Sequence, residues 1–331
     1  NPYMLNIRGT QILTPYIVGV ATAPEARGQH LFRPLLETAF EVLRSQEFPF
    51  ALLMPINAGI YLPYEFSFCY YRHKYEMPLE KLMVAQAGSE LKVARTGLDK
   101  EVLAKLYYEC TKAWNGAPLR TDFQWNKLLK VHSLENVKCA VVYEADEPVG
   151  YMLYKLQDAN FNVIELLAQS ATARYRLLQF AASHKSEAKT FTWLAEAWDK
   201  SYLNFADHNV SGSLQPFMMA RCLDARLALA KLPVANNMEE NSVVMLLTDS
   251  VIGRNNHLLK VKTAPGKLEA VSTLDNEEVT MDMGAFTQLY FGAFTATELA
   301  EAGKIKVHNA EKLSVLDRLF PKTRNYINEY F

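Results

Sequence analysis

Two kinds of residue in the first sixty-odd positions could do chemistry. Arg27-Gly28 lies where an apolar, β-branched run (Ile17, Val18, Val20) gives way to a stretch with helical spacing. A strand that enters a turn and then a helix N-terminus is an anion site. The N–H groups of the first helical turn have no internal acceptor, and the helix dipole is positive there. A phosphorylated ligand is the expected occupant. Tyr61 is the second kind: a phenol that stays protonated at neutral pH and can give up a proton. It is one of 17 tyrosines, and spacing alone leaves it open between proton donor and a core residue packed beneath the helix. His30 and His73 are the competing titratable groups. His30 lies at the phosphate end of the turn, and His73 sits in Tyr71-Arg72-His73-Lys74, which reads as the exposed face of an edge strand. Trp114, Trp125, Trp193 and Trp198 fall at helix or strand positions suited to a core. No metal cluster, Ser-His-Asp pattern or Walker loop is present.

The elements that must hold these groups can be read from apolar periodicity. Residues 3–22 predict a β-hairpin turning at Arg8-Gly9-Thr10, and 31–46 a helix with Leu31, Leu35, Ala39 and Leu43 on one face. Pro34 lacks an N–H, so this helix is expected to start late or bend. A buried strand at 50–54, a helical turn at 57–64 and a strand at 68–75 close a first α/β unit near residue 79. Helices follow at 99–114 and 121–130, strands at 138–143, 149–156 and 161–167, a helix at 170–185 and a strand at 189–195. The hairpin–strand–helix–strand order of residues 3–54 thus recurs, as in a diverged duplication. The equivalent turn reads Gln169-Ser170-Ala171-Thr172-Ala173, without Arg-Gly, and predicts a non-binding copy. Beyond Pro216 the pattern predicts a helix at 217–230, strands at 243–248, 257–262, 267–272 and 278–282, and helices at 283–292, 296–302 and 310–319. The tail Arg324 to Phe331 is aromatic to its last residue and is expected to dock, unlike most termini.

The 331 residues suffice for two or three domains. A net charge of −1 leaves no basic footprint for nucleic acid. No apolar stretch approaches the roughly 18–20 residues of a membrane span. Cys69, Cys110, Cys139 and Cys222 lack pair or metal-ligand spacing, and read as reduced thiols in a cytoplasmic protein.

The run Val18-Gly19-Val20-Ala21-Thr22-Ala23-Pro24-Glu25-Ala26-Arg27-Gly28 resembles motif A of the GCN5-related N-acetyltransferases (GNAT), and Asn57-Ala58-Gly59-Ile60-Tyr61 resembles the segment that carries their catalytic tyrosine. With the duplication, the third unit and the terminal Phe, the whole chain is similar to the Eis (enhanced intracellular survival) acetyltransferases. The fold implied is mixed α/β: tandem GNAT folds followed by a sterol-carrier-protein-like α+β domain. Its divisions are an acetyl-CoA-binding GNAT domain at 1–79, a degenerate one at 80–214 and a sterol-carrier-2-like domain with the tail at 215–331. Asn1 opens almost directly into strand-like sequence, so the first elements of the first module are expected to be missing.

By that resemblance Val18 and Val20 contact the pantetheine arm of acetyl-CoA. Ala26, Arg27, Gly28 and Arg33 surround its phosphates, and Ile56 and Asn57 lie beside the acyl end. Tyr61 becomes the general acid, and the Phe331 carboxylate, with a reference pKa of about 3.3–3.7, the general base. The Val20 N–H is the candidate donor to the thioester oxygen. Glu329 could add negative charge that selects cationic amines. The implied function is direct acetyl transfer to a small-molecule primary amine, aminoglycoside-like or lysine-type, without a metal and in a homo-oligomer, a hexamer in that family. Motif A departs from its usual form in carrying His30 and Phe32 where small residues stand. That departure supports the alternative, a non-catalytic acyl-CoA- or lipid-binding protein.

Overall fold

The computed structural model describes residues 2–83, 90–205, 212–234 and 241–330. The chain begins with a hairpin, β1 (Pro2–Ile7) and β2 (Thr10–Pro15), then helix α1 (Phe32–Ser45), β3 (Phe50–Leu53) and β4 (Ser67–Pro78). Next come β5 (Lys92–Thr96), α2 (Lys100–Thr111), β6 (Ala117–Pro118), α3 (Asp122–Leu134), β7 (Lys138–Glu144) and β8 (Glu147–Gln157). They are followed by β9 (Asn160–Ala168), α4 (Ala171–Ala182), β10 (Thr190–Glu196), β11 (Gly212–Cys222) and α5 (Ala225–Ala230). The last stretch holds β12 (Ser242–Thr248), β13 (His257–Ala264), β14 (Lys267–Ser272), β15 (Val279–Asp282), α6 (Met283–Tyr290), α7 (Ala296–Glu301), β16 (Ile305–Val307) and α8 (Glu311–Leu319). No helix among the described residues is long and apolar enough to cross a membrane.

Two compact units result. The first joins residues 1–70, 114–118 and 217–331, and the second 71–113 and 119–216. In the first, β1 pairs antiparallel with β2 and β6. A five-stranded sheet runs in the order β14-β13-β12-β15-β16, and β3 pairs with β11 from Met219↔Leu53 to Cys222↔Phe50. The hairpin and the five-stranded sheet share one core, in which Leu5, Ile7, Ile12 and Leu52 meet Met245, Leu247, Phe286 and Tyr290. Burying such side chains contributes about 1.5–3 kcal/mol each, so the ends of the chain fold as one body.

In the second unit β9 and β10 run parallel through Asn160↔Thr190 to Val163↔Trp193, with α4 as the crossover. β4 pairs with β10 over Arg72–Pro78 and has β11 as its other neighbour in the strand order, so His73 is not on an edge strand. Its ring stacks on Tyr75 at 4.4 Å, and burial lowers its pKa. The position expected to be exposed is half-buried, because the Tyr75 and Tyr202 rings cover part of the imidazole. A salt bridge is buried in this unit: Arg120 grips both oxygens of Glu165 at 2.9 and 3.2 Å. Tyr151 donates to the same carboxylate at 2.6 Å. Glu165→Gln removes the countercharge of a guanidinium that is 1 % exposed, and is expected to cost about 3–5 kcal/mol. The urea midpoint measures this; an unchanged midpoint would contradict it.

Two sequence expectations fail on burial. α1 buries Leu36 and Phe40, with Phe32 and Leu43 packed beside them, whereas Leu31 and Leu35 are exposed. Both stripes have four-residue spacing, and the aromatic one, with more area to bury, turns inward. Residues 217–222 are strand rather than helix. A run that is apolar except for Arg221 fits either state by pattern. Pairing with β3 decides it, and the helix starts only after the Asp224 N-cap, which accepts from the Leu227 N–H.

Candidate active site

The first unit gathers the predicted turn, Tyr61 and the tail. After Pro15, Tyr16 forms a parallel bridge with Leu52, and the Ile17 N–H donates to the Leu52 carbonyl at 2.8 Å. Pairing then stops. The expected strand through Val20 is absent, because Gly19 is left-handed (φ +67°) and β3 runs out at Leu53 before Pro55. Among the described residues no backbone hydrogen bond engages Val18 to Val20. Val18 is exposed and Val20 half-exposed, so their peptide groups are available to an extended ligand, as unpaired main chain requires a partner or water.

A 3-10 turn, Pro24–Ala26, leads to Arg27 and then Gly28, whose φ of +82° is left-handed. Nothing lies within 4 Å of where a Gly28 Cβ would stand. Helix α1 begins at Phe32, late as Pro34 demands: the proline is third in the helix, where its missing N–H falls among those with no internal acceptor. The N-cap, Leu31, supplies no side-chain acceptor. The first-turn N–H groups therefore remain open to an anion.

The second copy differs at this point. There Ser170 accepts from the Ala173 N–H and caps α4 itself. Arg174 of that helix is gripped by Glu196, with both contacts at 2.9 Å, and by Asp199 at 2.5 Å. Of the two equivalent helices, α4 thus has a side-chain cap and α1 has none.

Of the two residues that depart from motif A, one is packed and one exposed. Phe32 points into the core, with its ring 5.7 Å from that of Tyr61 and 5.4 Å from that of Tyr64. His30 is exposed and takes the left-handed φ of +56° itself. Of the predicted phosphate contacts, Ala26 is half-buried and Arg27 exposed. Arg33 is on the outer face of α1, where Glu37 holds it at 2.7 Å; that bond raises its pKa.

Tyr61 stands between two 3-10 turns, Ala58–Ile60 and Leu62–Tyr64, in place of one helical turn. Ile56 is fully exposed, and the Asn57 side chain accepts from the Gly59 N–H at 2.9 Å to start the first turn. The Tyr61 ring packs against Phe32 and, at 6.1 Å, Phe66. Partial burial raises the phenol pKa, because the anion loses hydration there. The hydroxyl therefore stays protonated beyond its ordinary range.

The tail docks, as expected. The Asn115 N–H donates to the Arg324 carbonyl and the Tyr326 N–H to that of Asn115, each at 3.0 Å. The Asn325 side chain donates to the Cys69 carbonyl at 2.9 Å and accepts from Thr323 and Asn115. Residues Tyr326 to Glu329 are buried. The Tyr330 ring lies 5.6 Å from that of Phe217. Burial raises the Tyr16 phenol, and the nearby Tyr3, Glu329 and Tyr330 reinforce it. The end of the chain thus comes close to Tyr16, two residues before the unpaired Val18–Val20 segment. Phe331 lies outside the described residues. Asn325→Ala is expected to lower stability by about 1–3 kcal/mol, leaving the Cys69 carbonyl unpaired. It should also speed trimming of the tail by carboxypeptidase, and an unaltered trimming rate would contradict the docking role.

Sequence reasoning did not find Glu65, Arg221, Asn115 or Asn325. Their partners are long-range, and no local spacing announces them. Among the described residues no group of His, Cys, Asp or Glu could hold a metal ion.

Comparison with known proteins adds the following. A model described as a sterol carrier protein domain matches residues 225–328. Two described as acetyltransferase (GNAT) domains match 116–227 and 1–69. The N-acetyltransferase Eis of Mycobacterium tuberculosis is 22% identical, over 96% of this chain and 80% of that protein. A probable N-acyltransferase from Enterococcus faecalis superposes with a TM-score of 0.89 at 22% identity, covering 100% of this chain and 85% of that one. A GCN5-related N-acetyltransferase from Anabaena variabilis gives 0.86 at 19%, with the same coverage. Eis1 from Mycobacterium abscessus gives 0.78 at 18%, again with that coverage.

Proposed function

Since the chain is an Eis-like N-acetyltransferase, with two GNAT domains ahead of a sterol carrier protein domain, we propose that it binds acetyl-CoA by its pyrophosphate at the Arg27-Gly28 turn and moves the acetyl group directly to a primary amine. The observation that carries this reading is the release of Val18–Val20 from β3 beside a helix whose N-terminus has no cap. That arrangement suits a pantetheine arm along the peptide groups and a pyrophosphate at the N–H groups of the first turn. Gly28 lets the backbone approach the phosphates, and Arg27 adds charge.

The amine nitrogen attacks the thioester carbonyl, and the Val20 N–H meets the developing oxyanion. The C–S bond breaks, and the leaving thiolate takes the Tyr61 hydroxyl proton. The attacking nitrogen loses its proton to the Phe331 carboxylate, directly or through water. Acetamide and free coenzyme A leave, and the two groups exchange their proton through solvent. The buried Glu329 adds negative charge for a cationic amine, of the aminoglycoside or lysine type. A cytoplasmic homo-oligomer is the expected form of the enzyme.

Calorimetric titration with acetyl-CoA, followed by a thiol-release assay across amines, tests the reading. Binding with amine-dependent thiol release supports it. Binding without release on any amine supports instead an acyl-CoA- or lipid-binding protein.

A further inference from the structure

The turn that carries Tyr61 is fastened at its far end by hydrogen bonds to Ser250, Met283 and Arg221, all beyond residue 216. The 3-10 turn Leu62–Tyr64 ends on Glu65, held left-handed at φ +61°. A residue with a Cβ takes that conformation at a cost unless its surroundings determine it. They do so here. One Glu65 oxygen accepts from the Ser250 N–H and hydroxyl, each at 2.6 Å. The other accepts from the Met283 N–H at 3.0 Å, at the start of α6, where the helix dipole favours a carboxylate. One residue back, the Tyr64 carbonyl accepts from Arg221 Nη1 at 2.5 Å.

Arg221 is itself immobilised. It is fully buried, and Nη2 is bidentate to Asp249 at 2.8 and 2.9 Å. Its guanidinium lies 4.8 Å from the centre of the Phe40 ring. Asp249 in turn accepts from the N–H groups of Val251 and Ile252 and from the Asn255 side chain. Arginine, aspartate and loop therefore form one buried polar network, in which only the Arg221 Nε has no hydrogen-bond partner among the described residues, and separating Arg221 from Asp249 would leave a buried charge unpaired.

We propose that Glu65 and Arg221 are positioning residues for Tyr61, so that the C-terminal region of this chain acts in catalysis as the frame that aims the acid. The inference rests on Tyr61 being the proton donor. Tyr61 and Tyr64 belong to the same short turn, in which the Tyr64 N–H donates to the Tyr61 carbonyl at 3.0 Å. Freeing Glu65 lets that turn rotate. A displacement of about 1 Å at a reacting group costs on the order of 100-fold in rate. Neither residue reaches the cofactor segment, so acetyl-CoA affinity should be spared.

The test is a double-mutant cycle on the full chain, read by thiol release and acetyl-CoA calorimetry. Glu65→Ala is expected to lower kcat by about 10- to 100-fold, with the acetyl-CoA Kd within twofold of wild type. It should also move the alkaline limb of the kcat profile towards the pKa of a solvated phenol, and Glu65→Asp should recover part of the loss. In a Tyr61→Phe background Glu65→Ala should cost nothing more, because there is no acid left to aim. Arg221→Lys provides a second, milder arm should Glu65→Ala fold poorly, with the same pattern expected. Multiplying losses, or an unchanged kcat in both single variants, would overturn the positioning role while leaving Tyr61 as the acid. A Tyr61→Phe enzyme that keeps full kcat would overturn both.

Discussion

Tyr61→Phe is expected to lower kcat for thiol release by about 100- to 10,000-fold, the span that a positioned general acid contributes. The acetyl-CoA Kd should hold, because the hydroxyl acts on the leaving sulfur and the ring, which carries the packing, remains. Stability should hold too, since the contacts to Phe32 and Phe66 are made by the ring. A pH signature separates this from a packing effect. Burial raises the phenol pKa above its ordinary 10.0, and the acid works only while protonated. Wild-type kcat should therefore hold until the pH passes 10.0 and then fall, and the variant should lose this limb. The same shift has a sign for stability. A phenol whose folded pKa is raised lends its contribution below the unfolded value and loses it as pH climbs through the folded one. Tyr16 and Tyr61 both act in that direction, so the folded protein should weaken in alkali. An unchanged kcat with an unchanged alkaline limb would remove Tyr61 from the chemistry.

The second large effect is expected from the Phe331 carboxylate, the proposed base. Appending one alanine after Phe331 moves the carboxylate by about 3.3–3.6 Å and puts a peptide group in its place. If that carboxylate takes the amine proton, kcat should drop by about 100- to 10,000-fold. Tyr326 to Glu329 should stay buried, since the Asn115–Asn325 bridge lies upstream of the change. Added small bases such as imidazole should restore part of the rate in the extended enzyme and leave wild type unaffected. Full activity in the extended chain would make the tail a packing element only.

How much of this was legible before the fold was seen depends on the range of the interactions. The Arg27-Gly28 turn and the late start of α1 follow from local chemistry, since the missing N–H of Pro34 acts within one helical turn. The Ser170 cap of the second copy acts just as locally, but the reading of that turn rested on the absent Arg-Gly and not on the serine. Which stripe of α1 faces inward was not local, because Leu31-Leu35 and Leu36-Phe40 have equal spacing and the core chooses by area. The segment 217–222 escaped for the same reason: its partner, β3, lies more than 160 residues away. The docking of the tail could be anticipated from its aromatic residues, but not the asparagines that latch it. Glu65 and Arg221 carried no signal, since their meaning arises only where distant loops converge. Gly19 was read within a strand, although its freedom at positive φ is what lets the backbone leave β3.

The account depends most on where coenzyme A sits relative to Tyr61. A crystal structure of the protein with coenzyme A measures this directly. The expected result has the pyrophosphate on the N–H groups between Gly28 and Arg33, the arm along Val18 to Val20, and the sulfur within hydrogen-bond reach of the Tyr61 hydroxyl. A nucleotide lodged at the Ser170 turn instead, or a sulfur out of reach of that hydroxyl, would contradict it.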